Sequence, residues 1–147
     1  MPDAEKSLQE VWPGYLEKGY FDHSGNLILD YVSRDWIVPF AHDLSSRRPP
    51  LTATQIRRFF QHCRAIEAKL RAKTSTWLAE EATFRLLDAA AADALGKDKP
   101  KIPVLFHDFI KLNVAAVKNE KDFLKGFLPH FEALVGFGSG IIREQRN

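Results

Sequence analysis

Apolar residues recur every three or four positions along most of this chain, a spacing that places them on one face of an α-helix. The stretch 29–44 shows this pattern most simply and predicts a helix with one buried face. Pro39 lies inside the stretch and should kink this helix or mark its first turn. The apolar positions are Leu29, Val32, Trp36, Ile37, Phe40 and Leu44.

The N-terminal third of the chain has two further signals of local structure. A short helix is predicted over 3–16, and GYFDHSGNL after it has the Asp, Ser, Gly and Asn content of a turn. The stretch SSRRPP then interrupts the helical spacing, and either Thr52 or Thr54 can cap the helix that follows.

The C-terminal half repeats the helical spacing three times. A helix rich in Ala and Leu is predicted at about 75–95 and is ended by GKDKPKIP. Two more helices are predicted over 104–117 and 122–137, the second with Pro129 as a local irregularity.

No stretch of the sequence favours a β-strand. Alternating apolar and polar residues flanked by hairpin turns are missing, and there is no internal repeat. A chain of 147 residues is about one domain's worth. The sequence therefore predicts an all-α fold, a compact bundle of five to six helices in a single domain over 1–147.

Positive charge is concentrated in the segment 51–73, LTATQIRRFFQHCRAIEAKLRAK. The chain has 21 lysine and arginine residues and 19 aspartate and glutamate residues. This segment contains six of the cations and one acid, Glu67, so the remainder carries 15 cations and 18 acids. The whole basic excess of the protein therefore lies in one predicted helix.

A helical wheel of this basic segment separates an apolar stripe from two charged margins. The stripe consists of Ile56, Phe59, Phe60, Cys63, Ile66 and Leu70. The first margin consists of Arg57, Arg64 and Arg71, and the second of Arg58, His62, Lys69 and Lys73.

Two interpretations of these margins remain open from the residues. The cations could form an ordinary solvated face whose long side chains cover the edges of the core. However, only Glu67 is near them in sequence, and like charges repel unless an anion compensates. The second interpretation is contact with an extended polyanion through its phosphates, which would tolerate different base sequences.

Catalytic and metal chemistry have no clear signature in the sequence. Cys63 lies on the apolar stripe, so we expect a buried structural thiol. The five histidines are scattered, and we expect no catalytic residue, no metal site and no cofactor. They are His23, His42, His62, His107 and His130.

The composition also bears on the cellular setting. The single cysteine cannot form an internal disulfide, and no signal-peptide pattern opens the chain, so we expect a reducing, cytoplasmic environment. The longest apolar runs fall short of the roughly 18 to 20 residues that a membrane span needs. We expect no membrane association.

The aromatic residues have a structural interpretation and a functional one. Phe123, Phe127 and Phe131 form a ladder that should be core, with contact to a neighbouring subunit as the alternative. The tryptophans should be packed in the bundle, although such rings can also stack on bases. They are Trp12, Trp36 and Trp77.

Four short stretches match motifs of one known family in order and spacing. LTATQIRRFF has the pattern Thr-x-x-Gln-(Ile/Leu)-Arg, and HFEALVGF resembles Glu-Ala-(Ile/Val)-Val-Ala-aromatic. ALGK at 94–97 stands where an Ala-Gly-Arg-like stretch is usual, and GYFDHSGNL matches a common beginning. Over roughly 19–138 the chain thus resembles the small subunit of the type III-A CRISPR effector, the Csm complex.

This resemblance implies a function. The family is an all-helical, non-catalytic building block of an RNA-guided effector in antiviral defence, and several copies stack as an inner filament. The implied partners are other Csm subunits, copies of the chain itself, and target RNA paired with CRISPR guide RNA. Binding would be to the phosphate backbone of the RNA.

The resemblance also implies candidate RNA-binding residues. By position, the motif arginine is Arg57, its neighbour Arg58 is a second candidate, and Lys97 takes the place of the arginine in the Gly-Arg stretch. Arg64 is added from the helical wheel.

A rival hypothesis explains the basic surface without RNA. The chain could be a helical protein-interaction module whose basic face binds an acidic protein. Exposed Phe residues would then form a homodimer contact when the protein is isolated. Self-association does not separate the two hypotheses, because a filament also requires contacts between subunits. RNA that co-purifies with the protein would separate them.

Overall fold

Six α-helices make up most of residues 5–144, the part of the chain that the computed structural model describes. A 3-10 helix, Leu29–Val32, precedes the second of them, and a π-helix, Asp122–Phe127, precedes the last. No β-strand occurs within residues 5–144, where Phe21 and Leu27 form an isolated bridge. The predicted all-α bundle is confirmed. The α-helices are α1 (Leu8–Val11), α2 (Arg34–Ser46), α3 (Ala53–Arg71), α4 (Trp77–Leu95), α5 (Val104–Ala116) and α6 (Leu128–Gly138).

The first helix is shorter than the predicted 3–16, of which residues 3 and 4 lie outside the described part. Ser7 caps α1 by accepting a hydrogen bond from the Glu10 backbone N–H. The helix ends at Val11, because the backbone of Trp12 leaves the helical region (φ −137°, ψ 81°). A residue before proline is pushed out of the helical region, and Pro13 follows Trp12. The predicted length is therefore wrong for a local steric reason.

The predicted helix 29–44 is divided at Ser33. The Ser33 backbone is extended, and its hydroxyl accepts from the Asp35 N–H as the N-cap of α2. Serine side chains compete with helical hydrogen bonding in this way. Pro39 lies in the middle of α2 and not in its first turn.

The predicted irregularity near Pro129 is confirmed as a π-helix that ends just before it. The Leu128 N–H donates to the Phe123 carbonyl, five residues back instead of four. Proline has no N–H to donate and its ring crowds the carbonyl four residues earlier, which favours a wider turn there. The widened segment brings Gly126 against the ring of Tyr20.

The centre of the bundle is aromatic. Phe123, Phe127 and Phe131 are fully buried, so the prediction that this ladder belongs to the core is confirmed. Trp12 and Trp77 are also buried. Trp36 is partly buried and stacks on Trp12 with ring centroids 5.4 Å apart. These rings pack within the bundle, as predicted.

A buried polar network links the N-terminal segment to α5 and α6. The Tyr20 hydroxyl donates to Asn113 Oδ1 at 2.8 Å, and Asn113 Nδ2 donates to the Tyr15 hydroxyl at 2.8 Å. The Tyr15 hydroxyl donates to His130 Nε2 at 2.6 Å, and His130 Nδ1 donates to the Tyr31 carbonyl at 2.6 Å. A carbonyl can only accept, so the neutral Nδ1–H tautomer of His130 satisfies the whole chain of bonds.

Membrane-spanning helices and clusters of metal ligands are both absent from residues 5–144. None of the helices there combines the length and the apolar character that crossing a bilayer requires. In the same range, no three His, Cys, Asp or Glu side chains converge as metal ligands would.

A first prediction concerns Gly126. A Cβ at this position would lie 2.6 Å from Tyr20 Cγ, and the Tyr20 ring is held by its hydrogen bond to Asn113. Gly126→Ala should therefore lower the free energy of unfolding by about 1–3 kcal/mol.

Gly136→Ala is the matched control, because nothing lies within 4 Å of its Cβ and it sits in α6. Alanine there should raise the stability by about 0.5–1 kcal/mol in urea denaturation. Equal effects of the two substitutions would contradict the packing at Gly126.

A second prediction concerns acid stability. Burial lowers the pKa of His130 from 6.5 to about 4. Between these values the unfolded chain binds a proton that the folded protein does not, so stability is complete above pH 6.5 and falls toward pH 4. The expected loss is about 3 kcal/mol from this residue.

The measurement compares the native chain with His130→Asn, which has no titrating group at this position. The variant should be less stable at pH 7, and the difference between the two proteins should shrink as the pH falls to 4. Parallel stability curves over this range would show that His130 does not carry the effect.

Candidate nucleic-acid interface

The basic segment is confirmed as helix α3, and its start is well defined. The Thr52 hydroxyl accepts from the Gln55 N–H at 3.2 Å and so caps the helix. Thr54 lies inside the first turn, and its hydroxyl instead donates to the carboxylate of Glu144. Of the two predicted caps, Thr52 is the one that the helix uses.

The end of α3 changes the predicted second margin. The helix ends at Arg71, and Lys73 beyond it has a left-handed backbone with φ of 58°. The Lys73 N–H donates to the Leu70 carbonyl and the Thr74 N–H to the Lys69 carbonyl, the two bonds of a Schellman motif. The wheel placed Lys73 on the helix, and that placement is wrong because the helix ends at Arg71 and the backbone reverses at Lys73 itself.

The apolar stripe of α3 is buried as predicted. Five of its six side chains are at most 6% exposed, and Phe60 is partly buried with its ring against Phe131. Burial also raises the pKa of the Cys63 thiol, so this cysteine is a structural residue. The five buried residues are Ile56, Phe59, Cys63, Ile66 and Leu70.

The cations of the first margin are paired with acids. Glu67 bridges Arg64 and Arg71 at 2.8 Å each, and Arg57 pairs with Glu144. Arg64 also lies over the Phe60 ring, 5.8 Å from its centroid. On this side the charge is therefore largely compensated within the protein.

The second margin is less compensated. Lys69 pairs with Glu80 at 3.7 Å, and a ring nitrogen of His62 donates to the Thr83 carbonyl on α4 at 2.7 Å. Arg58 is exposed and has no ion-pair partner within residues 5–144. The sequence argument counted only Glu67 near these cations and is therefore incomplete, because Glu80 and Glu144 approach Lys69 and Arg57 from other parts of the chain.

A groove between the start of α3 and the end of α4 brings basic side chains together. It is open to solvent, has a volume of about 440 Å³, and is lined by Arg58, Lys97 and Lys101. Asp93 on α4 also lines it and pairs with Lys97 at 3.3 Å. Three cations against one acid leave the groove with net positive charge. We call these three cations and the surface between them the basic groove.

Of the four predicted site residues, two lie in the basic groove. Arg58 and Lys97 line it, although they are far apart in sequence. Arg57 and Arg64 lie on the first margin of α3, outside the groove and in ion pairs.

Lys101 is the basic residue of the groove that sequence reasoning missed. Its backbone N–H donates to the Ala94 carbonyl at 2.9 Å, which folds the loop after α4 back against the helix end. The repeated lysines of GKDKPKIP were a visible signal, but that stretch was interpreted only as the end of a helix.

The three cations of the basic groove suit the binding of an anion. A guanidinium and two ammonium groups are hydrogen-bond donors with no acceptor capacity. They suit phosphate oxygens, which accept from either group. Because the groove is open, a strand could pass along it with its bases directed away.

Comparison with known proteins gives one match. The family model described as Csm2 Type III-A matches residues 35–139. This range runs from the start of α2 to the end of α6 and includes every residue of the basic groove. GYFDHSGNL lies before it. No curated protein and no solved structure matches the chain.

A third prediction tests the cap that positions α3. Thr52→Ala removes the acceptor for the Gln55 N–H, so it should lower the free energy of unfolding by about 1 kcal/mol. Thr54→Ala is the matched control, because it removes only a bond to an exposed carboxylate and should cost less than about 0.5 kcal/mol. Thermal unfolding of the two variants measures the difference, and a larger loss for Thr54→Ala would contradict the assignment.

Proposed function

The chain belongs to the Csm2 family of type III-A, the small subunit of the type III-A CRISPR effector, and on this premise we propose that it guides target RNA by holding the RNA's phosphate backbone. In this proposal the subunit positions RNA and carries out no reaction. Copies of the chain stack along the effector, and target RNA paired with guide RNA runs past them.

The observation that carries the proposal is the basic groove. Three cations, one on α3 and two in the loop after α4, line one open surface, where Asp93 is the one acid among the lining residues. Contacts to phosphate position a strand without reading its sequence, which is what a guide-directed effector needs from its own protein surface. Base pairing with the guide then supplies the specificity.

The remaining predicted residues extend this surface in the proposal. Arg57 and Arg64 follow the first margin of α3 and are each about half exposed or more, so a strand can reach their guanidinium groups. Each is already paired with a carboxylate, and therefore we assign them a smaller share of the binding than Arg58.

Contacts between subunits are supported by exposed apolar residues. Leu78 and Leu86 are 87% and 60% exposed, and both lie on the outer side of α4. In this proposal these two leucines contact a neighbouring copy. Stacking would also raise RNA affinity, because several weak sites on one strand act together.

A fourth prediction tests the RNA contact. Arg58→Glu combined with Lys101→Glu places two acids in the basic groove, so target RNA should bind more weakly to an effector assembled with this variant. The dependence of log K on log salt should flatten by roughly one to two units, since about one counterion is lost per phosphate contact. Binding is measured by titration of labelled target RNA over a series of salt concentrations.

The control is Lys111→Glu combined with Lys125→Glu. These lysines are exposed on α5 and on the π-helix, and reversing them changes the net charge by the same amount. The control should keep most of the salt dependence. If both double variants bind target RNA as the native chain does, the proposal fails.

A further inference from the structure

The C-terminal segment after α6 folds back onto the start of α3. Ile142 is buried, and its side chain packs so closely on Gly138 that an added Cβ there would lie 3.0 Å from Ile142 Cδ1. The Ala53 N–H donates to the Arg143 carbonyl at 3.1 Å. These contacts fix the backbone next to Glu144 and determine where its side chain can reach.

The Glu144 carboxylate is held by two groups of α3. One oxygen accepts from the Thr54 hydroxyl, and the other accepts from the Arg57 guanidinium. A carboxylate and a phosphate present the same kind of acceptor oxygens to a guanidinium. Glu144 therefore occupies the position that an RNA phosphate would take at Arg57.

We propose that Glu144 competes with RNA phosphate for Arg57 and Thr54, so that the chain's own C-terminal segment restrains RNA binding at the first margin of α3. This inference rests on the proposed function, because the competition has an effect only if the chain binds RNA. Glu144 thus acts as an internal inhibitor of RNA binding at Arg57.

The exposure of the pair determines the strength of the competition. The side chains of Arg57 and Glu144 are 61% and 55% exposed, so solvent screens their attraction and the pair contributes little free energy. An incoming phosphate can reach Arg57 and displace the carboxylate. However, the buried Ile142 keeps Glu144 nearby at a high effective concentration, and the carboxylate returns when the phosphate leaves.

The competition distinguishes the two margins of α3. Arg58 has no carboxylate partner within residues 5–144, whereas Arg57 beside it has one. RNA should therefore bind the basic groove first, and Arg57 should join only after Glu144 has moved away. Binding at Arg57 is thus conditional on a local rearrangement of the C-terminal segment.

A fifth prediction tests this with Glu144→Gln. The amide has nearly the shape of the carboxylate but no charge, so Arg57 becomes available to RNA. An effector assembled with this variant should bind labelled target RNA about two- to fivefold more tightly per copy of the subunit. Glu132→Gln is the matched control: this exposed glutamate on α6 has no ion-pair partner within residues 5–144, and its replacement changes the net charge equally.

Repeating the substitution in an Arg57→Gln chain tests whether Glu144 acts through Arg57. In an Arg57→Gln chain, Glu144→Gln should give no further gain in RNA affinity. An equal gain from Glu132→Gln would show that only net charge matters and would overturn the proposal. A gain that persists without Arg57 would overturn it as well.

The same titrations separate the two proposals. If reversal at Arg58 and Lys101 weakens RNA binding and Glu144→Gln leaves it unchanged, the RNA contact is supported and the competition is refuted. If neither change alters RNA binding, the proposed function itself fails.

Discussion

Burial of the apolar face of α3 is the constraint on which the rest of this surface depends. Each large apolar side chain removed from water contributes about 1.5–3 kcal/mol, and four of them are buried on this face beside Cys63. An exposed ion pair contributes at most about 1 kcal/mol. Packing therefore fixes the rotation of the helix about its axis. The positions of the cations on the two margins are a result of that rotation. The surface charge of the molecule is in this sense a consequence of its core.

The helices were predictable because their signal is local. The apolar stripe of α3 follows from the spacing of its apolar residues. The end of α4 at Gly96 follows from the backbone preferences of glycine. The errors are local too. The short α1 and the division at Ser33 are caused by one proline and one serine. The spacing of apolar residues does not detect the backbone effect of a single residue.

The candidate site was predictable only in part, because its geometry joins distant segments. Arg58 was identified from the motif and the wheel, but its position beside Lys97 and Lys101 depends on how α3 packs on α4. The pair of Arg57 with Glu144 spans 87 positions of the chain. No sequence spacing encodes such a pair, and the same holds for the network through Asn113 and His130.

The network through His130 also constrains when this chain can finish folding. Tyr15 and His130 are 115 residues apart in sequence, and Tyr20 and Asn113 are 93 apart. During synthesis the N-terminal tyrosines leave the ribosome long before their partners exist, so they stay hydrated or transiently associated with other surfaces. The core closes only when α6 emerges. A nascent or prematurely terminated chain thus lacks the closed bundle.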